Sequence, residues 1–203
     1  MKHILRYFLV VVLILTFRQA NADLLTFDEL SAAPGGTLLA NGYHGINWNN
    51  LYVADGTLAG LAGTGYQTGV VSGPNMIFNG AGLDASFSTV SGTLTLNSFY
   101  LTEAWADSNI TVVVKGLLAG NVVNTATFTP TESGPTLEVL NWSNIDTVQF
   151  FSGNEQYDQF VIDNLTINGA TETSQAPEPS TFALLGTGLI GAAGVARRRF
   201  LQG

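Results

Sequence analysis

Thr93-Leu94-Thr95-Leu96-Asn97-Ser98-Phe99-Tyr100-Leu101 sets Leu94, Leu96, Ser98 and Tyr100 on one side of an extended chain and Thr95, Asn97, Phe99 and Leu101 on the other. Side chains of a strand alternate between faces, so this period of two predicts a strand with two distinct sides. The next run has the same pattern: Ile110, Val112 and Val114 share one face of 110–118, and Lys115 takes the other. Further β-branched and aromatic runs lie at 24–27, 46–53, 122–129, 136–140, 147–152 and 159–167. Clusters of Gly, Asn, Ser and Pro separate most of them, and 56–75 is rich in glycine and predicts a long loop with a short strand or two. Helical periodicity is nearly absent from 23–170, so the economical architecture is an all-β, antiparallel two-sheet sandwich of eight to ten strands.

The two ends of the chain differ from this body. Met1 to Arg6 is basic, Tyr7 to Phe17 is apolar, and Ala20-Asn21-Ala22 is a small-x-small cleavage pattern. This order predicts a secretory signal peptide over 1–22, with Asp23 as the new N-terminus. Residues 171–176 are small and polar and read as a linker. Then come Pro177-Glu178-Pro179-Ser180-Thr181, an uncharged run from Phe182 to Ala196, and Arg197-Arg198-Arg199. As a helix, 182–196 reaches about 22 Å against a hydrocarbon core of about 30 Å, short for a permanent anchor. The three arginines hold their end in the cytoplasm and place the body across the membrane.

These three parts, in this order, resemble the PEP-CTERM sorting signal of Gram-negative bacteria, over 177–203. The resemblance implies recognition by a membrane-embedded exosortase at Pro177, Glu178, Pro179, Arg197, Arg198 and Arg199. It also implies cleavage near the Pro-Glu-Pro and association with exopolysaccharide or biofilm matrix. The membrane is then a transient partner, and the final location is the cell surface or beyond.

Setting the ends aside exposes the charge of the body. Between 23 and 176 lie fourteen acids and a single basic side chain of fixed charge, Lys115, a net of −13. One cation cannot neutralise a phosphate backbone, which excludes nucleic acid as a partner. The chain has no cysteine, which excludes disulfides, thiolate metal sites and a cysteine nucleophile.

A second resemblance concerns the body. Phe27-Asp28-Glu29-Leu30, Tyr43-His44-Gly45-Ile46-Asn47-Trp48 and Phe160-Val161-Ile162-Asp163-Asn164-Leu165 occur in an order similar to jelly-roll domains of exported bacterial proteins, carbohydrate-binding modules among them. Some of those jelly rolls hold a structural calcium near both termini, and the resemblance implies Asp28, Glu29 and Asp163 as its ligands here. Hard oxygen donors suit that ion. The alternative is that Asp28 caps a turn and Asp163 bonds neighbouring backbone.

Aromatic faces match the C–H patches of sugar rings, while Tyr and Trp keep a polar handle. Tyr43, Trp48, Tyr52, Tyr66, Trp105 and Trp142 are candidates on that ground; Trp105, inside Glu103-Ala104-Trp105-Ala106-Asp107, sits in an expected loop. His44 is the one histidine after the signal peptide, and no Gly-x-Ser-x-Gly elbow accompanies it, so catalysis has no motif behind it. Three readings of function follow: a non-catalytic exported protein that binds glycan or matrix, a small carboxylate-dependent glycoside hydrolase, and a structural protein that self-associates through sheet edges.

Overall fold

The computed structural model describes residues 22–105, 109–153 and 155–168. The expected signal peptide, linker, C-terminal helix and sorting signal lie outside the described residues. Among the described residues no helix is long and apolar enough to cross a membrane.

The described residues form twelve strands: β1 (Asp23–Leu25), β2 (Thr37–Leu38), β3 (Ile46–Asn49), β4 (Leu51–Asp55), β5 (Asn75–Asn79), β6 (Ala85–Thr89), β7 (Leu94–Glu103), β8 (Val112–Leu118), β9 (Asn121–Phe128), β10 (Thr136–Ile145), β11 (Thr147–Phe151) and β12 (Phe160–Ile167). One sheet runs β10-β7-β12-β5-β4-β2, with β1 also on β12; the other runs β3-β6-β11-β8-β9. Every pairing is antiparallel. The body is a jelly-roll-like β-sandwich. Its core lies between the sheets, where Leu25, Leu51, Ile77, Leu101, Phe160 and Ile162 of the larger meet Phe87, Val112, Val114, Val148 and Phe150 of the smaller.

The run 46–53, expected as one strand, is two strands in different sheets. Asn50 between them takes φ 54, which turns the chain from one sheet to the other. Asparagine reaches the left-handed region more readily than other side chains. Its amide also donates to the carbonyls of Gly80, Leu83 and Asp84.

The alternation expected across 93–101 is real but changes phase. Leu94 and Leu96 face the core, and so do Phe99 and Leu101, because β7 carries an extra residue, Asn97, against β12, where Leu96 and Ser98 pair with the consecutive Ile167 and Thr166. An extra residue in a ladder reverses which parity faces inward.

β5 and β6 fall in a stretch that the sequence reading does not mark as strand. Asn75-Met76-Ile77-Phe78-Asn79 is buried on both faces, so its polarity does not alternate. Its two asparagines tie the ends of the sandwich. Asn75 donates to the carbonyls of Phe27 and Leu30. Asn79, fully buried, donates to Leu83, Ser152 and Asp158 and accepts the Phe160 N–H.

Candidate functional site

The outer face of the larger sheet is also apolar. Ala54, Met76, Phe78 and Val161 point away from the sandwich core and form a second cluster with Tyr66 and Ala104. The segment after β4 folds back over this face. It carries a 3-10 turn at Ala59–Leu61 and one helical turn, α1 (Gly65–Thr68). Gly65 N–H donates to the Ala104 carbonyl at 3.0 Å, and a Cβ at position 65 would overlap the Glu103 carbonyl. This close approach seats Tyr66 against the sheet.

Between the covering segment and the sheet lies a cavity of about 530 Å³. Pro34 and Gly35 close one side, Leu58 and Leu61 another, and Phe78, Tyr66, Trp105 and Gln159 line the rest. The Tyr66 ring meets Phe78 edge-on at 5.2 Å and Trp105 at 5.3 Å. Burial pushes the Tyr66 hydroxyl well above its ordinary pKa. Trp105 Nε1 donates to Gln159 Oε1 at 2.7 Å, and Gln159 Nε2 donates to the Asn79 carbonyl at 3.0 Å. The exposed Tyr157 ring stands 6.0 Å from Trp105. A second hollow of about 430 Å³ shares Gly35, Phe78 and Gln159 with the first and adds Tyr52, Asn50 and Leu83. Tyr52 stacks on Phe78 at 5.7 Å. The two hollows form one groove over β4 and β5.

Of the six aromatics singled out for sugar contact, Tyr66 and Trp105 share this cavity. Tyr43 and Trp48 do not reach it. Trp48 is a core residue, 5 % exposed, wedged against Phe27 and Phe87, with its indole N–H on the Tyr43 carbonyl. The Tyr43 hydroxyl donates to Glu29, whose carboxylate lies 3.5 Å from His44 Nε2. Tyr52 flanks the groove, and Trp142 packs over Gly116 on the opposite side of the fold. Sequence reasoning missed Phe78 and Gln159. The first is hidden in a run without alternation, and the second carries no motif.

The three acids assigned to a calcium site do not converge. Asp163 and Asp28 both serve the turn before β5; burial raises the Asp163 pKa, and the Asp28 charge adds to it. Asp163 Oδ2 accepts the N–H groups of Val71 and Ser72 at 2.7 and 3.0 Å, and Oδ1 accepts that of Asn164. Asp28 Oδ1 accepts the Asn75 N–H, and its carboxylate lies against Gly73, φ +56, where a Cβ would overlap it. Glu29 points away toward Tyr43 and His44, which hold its pKa below the ordinary glutamate value. Among the described residues no three acidic or histidine side chains gather to hold a metal. The donor set therefore does not fit an ion bound by all three.

No curated protein sequence matches. Among solved structures, a cyclase from Fischerella sp. TAU is similar at 10 % identity and TM-score 0.46, covering 74 % of this chain and 100 % of its own. The CBM22-1 xylan-binding domain of Paenibacillus barcinonensis Xyn10C is similar at 11 % identity and TM-score 0.44, covering 75 % and 98 %. TmCBM61, solved with beta-1,4-galactotriose, is similar at 12 % identity and TM-score 0.38, covering 64 % and 94 %. Residues 175–199 match the family model of the PEP-CTERM protein-sorting motif. The chain thus carries a β-sandwich body followed by a PEP-CTERM sorting motif, the mark of an exported protein sorted by way of the membrane.

Proposed function

We propose that this is a cell-surface or extracellular matrix protein, exported by its signal peptide and processed by an exosortase, whose sandwich binds glycan in the groove of the larger sheet. The domain plan of this reading is a signal peptide at 1–22, the sandwich at 23–170, a linker at 171–176 and the sorting signal at 177–203. One observation carries the binding assignment: Tyr66 and Trp105, far apart in the chain, meet at 5.3 Å on the wall of a cavity that also holds Gln159. Concave apolar sites with a few fixed polar groups are where small ligands bind, and indole and phenol rings suit sugar C–H faces.

Affinity electrophoresis of the purified protein in gels containing neutral polysaccharides tests the binding. Retardation by at least one polymer, lost in Trp105→Ala, is the expected result; unchanged mobility across neutral and acidic polymers alike overturns it. Processing is tested by a C-terminal epitope tag. Pro177→Ala with Pro179→Ala is expected to retain the tag on the membrane fraction, whereas the native sequence loses it.

A second reading, self-association in the matrix, has its own observation. β9 and β10 are edge strands of the two sheets, and Val122, Val123, Leu137 and Val139 on them are each about half exposed or more. Unpaired apolar edges invite pairing with another chain. Sedimentation velocity separates the readings: a concentration-dependent oligomer abolished by Val123→Lys supports the second.

A further inference from the structure

We infer that the groove selects an uncharged sugar carrying an acyl or methyl substituent; the inference rests on the glycan reading above and narrows its ligand. Charge comes first. From 23 to 168 the basic side chains are Lys115 and His44. Lys115 stands on β8 of the other sheet, its ammonium 4.4 Å over the Phe151 ring, and His44 lies beside Glu29. Neither lines the cavity. A uronate, sulfate or phosphate would enter a strongly acidic body without meeting a cation there.

Hydrogen bonding decides the rest. A sugar ring sunk into the cavity must find partners for its hydroxyls, because each one buried without a partner gives up its bonds to water and gains none in return. The Trp105 and Gln159 side chains on the wall already hold partners: the indole donates to Gln159 Oε1, and Gln159 Nε2 donates to the Asn79 main-chain carbonyl. What the wall offers instead is Pro34, Ala54, Leu58, Leu61 and the Phe78 ring. A group with no donor, such as the methyl of an acetyl ester, an acetamide or a 6-deoxy sugar, matches that surface. The pyranose ring then stays at the mouth, against Trp105 and Tyr157, with its hydroxyls in water.

The test is calorimetric titration of the purified protein with acetylated glucomannan, acetylated xylan and chitohexaose. Alkali-deacetylated samples of the first two polymers and polygalacturonate complete the panel. Acetylated ligands are expected to bind at least about tenfold more tightly than deacetylated ones, the scale of one methyl group in an apolar pocket. Polygalacturonate is expected not to bind. The double variant Leu58→Asn with Leu61→Asn, on the exposed covering segment, is expected to bring the acetylated-to-deacetylated ratio close to one. Equal binding of both forms by the native protein, or tight binding of polygalacturonate, overturns the inference and leaves the glycan reading standing. Silence across the whole panel overturns both.

Discussion

The Trp105 indole N–H meets the Gln159 side-chain oxygen at 2.7 Å, joining a residue two places past the end of β7 to the residue just before β12. The Ala104 N–H donates to the Gln159 carbonyl beside it at 3.0 Å. These two bonds hold the indole on the cavity wall rather than free on a loop. Trp105→Ala removes the ring from the groove. The expected outcome is a loss of glycan affinity of at least about tenfold, or about 1.4 kcal/mol. Trp105→Phe retains a flat apolar face but no N–H and is expected to fall between. Titration of the three proteins at matched melting temperatures checks this.

Gly73→Ala places a methyl group into the Asp28 carboxylate at a left-handed backbone position. Strain and overlap together are expected to destabilise the fold by about 2–3 kcal/mol. Gly92 also has positive φ, but nothing lies within 4 Å of its missing Cβ. Gly92→Ala is therefore expected to cost only the backbone term, about 1 kcal/mol. Urea unfolding of both variants isolates the Asp28 contact; equal losses would refute it.

Asn79→Leu strips partners from both sides of one end of the sandwich. The Phe160 N–H loses its acceptor, and the carbonyls of Leu83 and Asp158 lose a donor. Unsatisfied buried groups put the expected cost at about 2–4 kcal/mol, read from the denaturant midpoint. A change below about 0.5 kcal/mol would show that water replaces the amide.

Asp163 and Glu29 predict opposite pH responses. Burial raises the Asp163 pKa, with the Asp28 charge acting in the same direction against the N–H bonds of Ser72, Val71 and Asn164. A carboxyl raised in the folded state contributes stability below its unfolded pKa of about 3.9 and loses it as pH climbs through the folded value. Glu29 is lowered, chiefly by the Tyr43 hydroxyl, so its contribution is present at neutral pH and lost on acidification. Asp163→Asn is accordingly expected to gain stability relative to the native protein between about pH 4 and 7. Glu29→Gln is expected to be less stable than the native protein above about pH 5, a difference that shrinks as pH falls through and below the unfolded glutamate pKa of about 4.3. Melting curves from about pH 3 to pH 7 that stay parallel for all three proteins would contradict both assignments.

Chelation tests the role of the two aspartates. Their oxygens already face backbone N–H donors, and Glu29 is turned away. EDTA is therefore expected to shift the melting temperature by less than about 2 °C, a few tenths of a kcal/mol. A fall of several degrees, restored by calcium, would show a cation held between Asp28 and Asp163.

The period of two across 93–101 and 110–118, and the turn residues between runs, were enough to read the β-sandwich from the chain. Local alternation is a direct consequence of a strand having one face in a core. The charge of the body and the sorting motif were equally legible, because net charge is a sum over residues and a short recognition signal is linear. Trp105 and Tyr66 were visible as aromatic residues outside the regular strands.

What the chain did not reveal is which of these residues meet. The Asn50 turn sends β3 and β4 to different sheets, placing Trp48 in the core and Tyr52 on the groove. Phe78 faces the cavity only because β5 is covered on both sides, and Gln159 reaches Trp105 only because β12 lies beside β7. Each of these facts depends on strand order, and strand order is set by contacts between residues dozens of positions apart. Thus the sequence alone determined a sorted, acidic, all-β protein. The tertiary structure decided where its aromatic side chains converge, because only packing across the sheet brings positions 66, 78, 105 and 159 to one wall.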